Sequence, residues 1–154
     1  MPDSEIKPLD FHGRFRHGID GSRRLMIPAK WRPAEKTTVL KAILWPMNVN
    51  DYILVLPPEQ WQQRILDKIK GNRLSEERAA ILERVIGETS GSLELDKVGR
   101  FCLPDHLAGP VGLDKEAVLV GRVDKFEIWS SKRFDAAHSY NASLAADYAK
   151  EIGI

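Results

Sequence analysis

The chain has 154 residues and a single cysteine, Cys102. That excludes an intrachain disulfide and argues against a cysteine-built zinc site within one chain. One cysteine suits a reducing compartment without requiring one. Long apolar runs are also missing. Stretches such as Tyr52–Leu56 are strand-sized, far short of the roughly 20 residues that span a bilayer. Met1 to Lys7 hold no apolar segment of signal-peptide length, so the expectation is a soluble, cytoplasmic protein with no membrane partner. Charge of one sign is lacking as well: 23 Lys and Arg stand against 22 Asp and Glu, a net charge of +1. A uniformly basic coat for nucleic acid is excluded, whereas a local basic patch is not. What is present is globular composition, 43% apolar and 29% charged, in a length that makes one ordinary domain or two very small ones.

Catalytic signatures are scarce too. There is no phosphate-cradling Walker loop and no dinucleotide-binding glycine pattern. His12, His17, His106 and His138 are scattered, and no carboxylate or cysteine clusters with them in sequence as a metal or catalytic centre requires. They read as structural or solvent-facing. Cys102 sits between Phe101 and Leu103 in an apolar segment and reads as a small core residue rather than a reactive thiol. No cofactor, no metal, no small-molecule substrate and no enzymatic activity are expected.

What the chain does contain is a repeat. Asp20-Gly-Ser-Arg-Arg-Leu-Met-Ile-Pro28 aligns with Asp96-Lys-Val-Gly-Arg-Phe-Cys-Leu-Pro104. In each, Asp is followed four residues later by Arg (Arg24, Arg100), then by alternating apolar residues and Pro. Downstream, Val39–Leu44 matches Val118–Val123, Ile53–Leu56 matches Phe126–Trp129, and Trp61 matches Phe134. The expected organisation is a first repeat over 11–61, connecting helices over 62–90, a second repeat over 91–138 and a C-terminal tail over 139–154.

Period and breakers give the elements of each copy. Arg14–Ile19 alternates as a strand, Asp20-Gly-Ser is turn chemistry, and Arg24–Ile27 resumes as the second arm of a hairpin. Pro28 opens a helix that Pro33 stops within about a turn. Thr38–Leu44 and Tyr52–Leu56 are further strands. The second copy repeats this at Leu93–Leu95, Arg100–Leu103, Ala117–Arg122 and Lys125–Trp129. Trp61, Ile65 and Ile69 recur every four residues between Pro58 and Lys70, a helix with one apolar stripe. Ser75 N-caps a second helix running to Gly87, with Glu76 and Glu77 in its first turn. A helix over Ser131–His138 closes the second copy, and Ser143–Ile154 has helical character. Strands this short do not stand alone, so the copies must pack together or with another chain.

Charge is concentrated in the first copy. Between Phe11 and Lys36 the cations are Arg14, Arg16, Arg23, Arg24, Lys30, Arg32 and Lys36, against Asp20 and Glu35. Arg14 and Arg16 share a strand face by period two. A hairpin bracketed by arginines suits a DNA groove, where they bond phosphates or guanine edges; the alternative is a solvated hairpin with ordinary surface charges. The second turn, with Lys97 and Arg100 among Glu94, Asp96 and Asp105, is neutral to acidic. The first copy is therefore expected to be the main contact. In both copies Asp and Arg can pair across the turn, which would orient the arginine more than stabilise; the alternative is that Asp20 and Asp96 are simply turn residues.

The two Asp-x-x-x-Arg units, each followed by an apolar strand and Pro, resemble the MraZ proteins, a branch of the AbrB-like DNA-binding superfamily. The segments Ile53–Trp61 and Val118–Trp129 are also similar to that family, and the resemblance covers roughly Phe11 to His138. It implies an α+β fold of two tandem AbrB-like, swapped-hairpin-like β units with short helices, related by a pseudo-twofold. It further implies a nucleoid-associated, ring-shaped homo-oligomer that binds short promoter repeats in double-stranded DNA. The regulated genes would be the bacterial division and cell-wall cluster, with repression as the expected sign. Asp20 and Arg24, then Asp96 and Arg100, are the motif residues. With Arg14, Arg16, Arg23 and Lys97 they make up the expected DNA-binding set. The chain departs from the family in having Arg23 where Gly usually precedes the motif arginine, a position kept as Gly99 in the second copy; the loss of Gly puts the first turn's geometry in question if it needs positive φ. Pro33 also shortens the first copy's helix. The alternative function is a ring-forming interaction scaffold whose arginine hairpin meets an acidic protein; a third is an enzyme whose site is assembled between chains.

Overall fold

The computed structural model describes residues 10–35, 37–44 and 51–154, without the side chains of Ser139 and Tyr140. Lys36, one of the cations counted above, and the opening residues Met1 to Lys7 lie outside the described residues.

The first copy supplies β1 (Arg14–Gly18), β2 (Arg24–Met26), a single 3-10 turn at Ala29–Trp31, β3 (Val39–Ile43) and β4 (Tyr52–Leu56). The second supplies β5 (Ser90–Glu94), β6 (Arg100–Cys102), the short helix Asp105–Ala108, β7 (Glu116–Gly121) and β8 (Phe126–Ser130). β5 starts three residues before the expected Leu93. Its first residues carry no apolar pattern; Ser90 and Gly91 are extended because they pair with Ile43 and Ala42 of β3.

The arms of each expected hairpin are not partners. β1 and β2 join only through the turn at Asp20, where the Asp20 amide donates to the Arg24 carbonyl. Beyond it β1 pairs with β7 and β2 pairs with β6. The second copy answers in kind, with β5 lying against β3. The result is a six-stranded antiparallel sheet, β1-β7-β8-β4-β3-β5, under a two-stranded ribbon, β2-β6. The physical reason is size: a hairpin with a three-residue arm is marginal by itself, and exchanging arms places both copies in one sheet over one core. Ile53 opposite Ile128 marks the centre of the exchange in the sheet, and Leu25 opposite Phe101 marks it in the ribbon. The two copies are thus one α+β unit with pseudo-twofold symmetry.

Strand alternation divides the sheet into two faces. One carries Leu40, Ala42, Ile53, Val55, Leu93, Leu119 and Ile128, which pack with Leu25, Ile27, Trp31, Phe101 and Leu107 beneath the ribbon. The other carries Ile43, Leu54 and Leu56 against Ile65 and Ile86, and Val118 and Trp129 against Phe134. These last residues belong to helices. α1 (Pro58–Trp61) passes through a π-helical segment, Gln62–Leu66, into α2 (Asp67–Gly71). α3 (Glu76–Glu88) follows, its Ser75 cap accepting from the Arg78 amide at 3.2 Å. The short helix Asp105–Ala108 is α4. α5 is one helix, Ser131–Glu151, where the sequence suggested a helix and a separate tail. It runs unbroken through 138/139 because Ala136, Ala137, Ala142, Ala145, Ala146 and Ala149 favour helix, and no Gly or Pro intervenes before Gly153.

Candidate nucleic-acid interface

The two Asp-x-x-x-Arg turns have nearly the same geometry. Asp20 Oδ1 accepts from the amides of Ser22 (2.9 Å) and Arg24 (2.8 Å), and Asp96 Oδ1 accepts from those of Val98 (3.0 Å) and Arg100 (2.9 Å). The second oxygen of each carboxylate takes the Nε of its arginine at 2.9 Å. One carboxylate thereby closes the turn and aims a guanidinium. The Arg24 amide is the largest influence holding Asp20 below its ordinary pKa, and the Arg100 amide does the same for Asp96. Both carboxylates stay ionised for their arginines.

Arg23 keeps the turn that Gly99 makes. It lies at φ +62, and Gly99 at φ +90. The quasi-equivalent bonds also match: the Leu103 amide donates to the Arg23 carbonyl at 2.8 Å, and the Ile27 amide to the Gly99 carbonyl at 2.9 Å. A left-handed residue with a side chain costs about 1–2 kcal/mol, so Arg23 is held there against its preference.

In the ribbon Leu25 and Phe101 point into the core, and Arg24, Met26, Arg100 and Cys102 point outward. Arg24 is opposite Cys102 and Arg100 opposite Met26, so the two motif arginines are diagonal neighbours, about 7 Å apart along the strands. Cys102, expected in the core, is exposed, its Sγ 3.6 Å from the Ser22 carbonyl. Alternation explains the correction: Phe101 and Leu103 are both buried, which turns the residue between them outward. Lys97 is exposed at the second turn.

Arg14 and Arg16 are elsewhere. They share a face, as period two requires, but it is the helix-covered face of the sheet. Arg14 Nη1 donates to His138 Nε2 at 3.0 Å, which fixes that ring nitrogen as the acceptor, and the guanidinium lies 5.5 Å from the Phe134 ring centroid. Arg16 bonds Asp135 at 2.5 Å and lies 3.6 Å from Glu116. The structure therefore brings Asp20, Arg23, Arg24, Asp96, Lys97 and Arg100 together on the ribbon, and sets Arg14 and Arg16 apart, exposed but in contact with α5.

Two ribbon residues were missed by sequence reasoning. Asp105 of the second copy reaches Arg23, with Oδ1 3.4 Å from Nε. Arg32 of the first copy lies over Gly99; its Nε donates to the Ile27 carbonyl at 3.1 Å and its Nη2 to Met26 Sδ at 3.2 Å. A signal for both was present in the repeat. Counted from Pro28 and Pro104, Arg32 stands where the second copy has Ala108, just as Arg23 stands where it has Gly99.

The family profile described as "MraZ protein, putative antitoxin-like" matches residues 88–153. The chain is 31% identical over 146 residues to the "Transcriptional regulator MraZ" of Lachnoclostridium phytofermentans, covering 94% of this chain and 98% of that protein. The proteins of the same name from Thermomicrobium roseum and Heliobacterium modesticaldum are 32% and 30% identical, over 92% and 90% of this chain and 96% and 91% of theirs.

Proposed function

Because the chain belongs to the MraZ family, we propose that it is a DNA-binding transcriptional regulator that reads duplex DNA with the outer face of the β2-β6 ribbon. The observation that carries this is the pair of Asp-clamped arginines, Arg24 and Arg100, set diagonally on one exposed ribbon face. A two-stranded ribbon fits a major groove, and a pre-aimed guanidinium is suited to phosphate oxygens or guanine edges. The relatives bear the name of a regulator, and the chain is not an enzyme. The sign, repression, and the target, short repeats before a division and cell-wall gene cluster, follow from the resemblance stated above, as does nucleoid association. No helix among the described residues is long and apolar enough to cross a membrane.

Assembly into a ring of identical chains is part of the proposal. An apolar groove of about 300 Å³ opens between α2 and α3, lined by Ile65, Ile69, Leu74, Leu82 and Ile86. On α5, Leu144 and Tyr148 stand four residues apart and Ile152 follows at the C-cap, and Tyr148 and Ile152 are exposed. Complementary surfaces on different parts of one chain are what heterologous, ring-closing contacts use. Several ribbons on one ring would raise one another's effective concentration over successive repeats.

The test is fluorescence anisotropy with duplex DNA from immediately upstream of the protein's own gene, titrated at stepped salt, together with light scattering. Affinity should fall steeply with salt, and Arg24→Ala should lose most of it without unfolding. Salt-independent or absent binding, with an intact ring, would replace this reading by the scaffold.

A further inference from the structure

Charge counted in space, rather than along the chain, reverses the balance between the two turns. The first turn holds Asp20, Arg23 and Arg24, and the second copy adds Asp105 against Arg23. Two guanidiniums there face two carboxylates. The second turn holds Asp96, Lys97 and Arg100, and the first copy adds Arg32. A Cβ built on Gly99 would overlap Arg32 Nε and Cζ, so the guanidinium fills the space that a side chain at 99 would take. Three cations there face one carboxylate. Glu94, near in sequence, does not join them: Leu93 faces the ribbon, so its neighbour on β5 points to the sheet's opposite face.

We propose that Arg32 is a DNA-contacting residue, supplying to the second turn the guanidinium that Arg23 supplies to the first, and that the second end of the ribbon is the stronger phosphate contact. Both ends then present an Asp-clamped arginine with a second guanidinium beside it. At one end that second group comes from the turn itself, at the other from across the pseudo-twofold. Arg32 is suited to the role because two of its nitrogens are already tied, Nε to the Ile27 carbonyl and Nη2 to Met26 Sδ. These fix the guanidinium plane and leave Nη1 without a partner among the described residues. A guanidinium fixed in advance loses less freedom when it meets a phosphate. Arg23 has the reverse handicap, since Asp105 stands beside it and any anionic ligand must work against that carboxylate.

This inference rests on the DNA-binding reading, and the experiment separates the two. Binding of the upstream duplex and of an unrelated duplex is measured by anisotropy across a salt series for wild type, Arg24→Ala, Arg23→Gln, Arg32→Gln and the double variant Arg32→Ala/Gly99→Arg. Arg32→Gln keeps the stem and an N–H donor but removes the charge; thermal melting and light scattering confirm fold and assembly. It should weaken both duplexes about tenfold and flatten the salt dependence by about one unit of slope per lost contact. Arg23→Gln should cost less than Arg32→Gln. The double variant carries its guanidinium on the turn as Arg23 does and should recover most of the affinity. A merely structural Arg32 would not be rescued that way, and an assembled but unrescued double variant would overturn the contact role. Wild-type binding that Arg24→Ala abolishes and Arg32→Gln leaves unchanged would overturn this inference alone. Absence of salt-dependent binding by wild type would overturn both.

Discussion

Gly99→Ala is the substitution on which the ribbon's geometry bears most directly. Gly99 is buried at φ +90, in the left-handed region that a side chain enters at about 1–2 kcal/mol. The new methyl group would also occupy the place of Arg32 Nε and Cζ. Arg32 must swing away and give up its bond to the Ile27 carbonyl, a net loss of about 0.5–1.5 kcal/mol. Against this, alanine restricts the unfolded chain and returns about 0.4–1 kcal/mol. The balance is a destabilisation of about 2 kcal/mol, a fall in Tm of roughly 4–8 °C for a chain of this size. In an Arg32→Ala background the overlap is gone and only the left-handed cost remains, so Gly99→Ala should then cost about 1 kcal/mol less, a coupling between touching residues. Urea denaturation of the four proteins at one fixed protein concentration measures this, since self-association shifts apparent stability. A Gly99→Ala protein as stable as wild type, or one whose loss is the same with and without Arg32, would refute the packing of Arg32 on Gly99.

Val123 lies at φ +67 in the β7–β8 turn and is 63% exposed, so Val123→Gly removes strain and little contact. It should raise stability by about 1 kcal/mol, read as a higher Tm. Leu25 is wholly buried opposite Phe101, and Leu25→Ala should cost about 2–5 kcal/mol in denaturant unfolding. Asp20 and Asp96 are held below their ordinary pKa by the amides of Arg24 and Arg100. Their contribution is therefore complete above the unfolded carboxylate pKa, about 4, and lost as pH falls through the lower folded values. Acid titration followed by circular dichroism should show this loss, and it should shrink in Asp20→Asn/Asp96→Asn.

How much of the site was legible depended on the range of the forces involved. The Asp-x-x-x-Arg turns were readable because everything that shapes them lies within five residues: a carboxylate, two amides and a guanidinium. Strands such as Tyr52–Leu56 and the Ser75-capped helix were readable for the same reason. The start of β5 was not legible, because Ser90 and Gly91 are made extended by β3 rather than by their own preferences. Cys102 lies in an apolar segment, yet buried Phe101 and Leu103 on either side leave it outside.

By itself, the sequence determined the duplication, the turn chemistry, the alternation that buries one side of each strand, and the class of fold. These are set by nearest neighbours and by period. Tertiary structure alone decided the pairing. A hairpin whose arms stay together and one whose arms are exchanged have the same local sequence. They differ only in which copy covers which apolar face, and here β1 goes to β7 and β2 to β6. That exchange sets Arg14 and Arg16 against α5, lays Arg32 on Gly99 and brings Asp105 to Arg23. The charge at each end of the ribbon thus combines groups about 65 to 80 residues apart in sequence, because Coulomb forces follow distance in space.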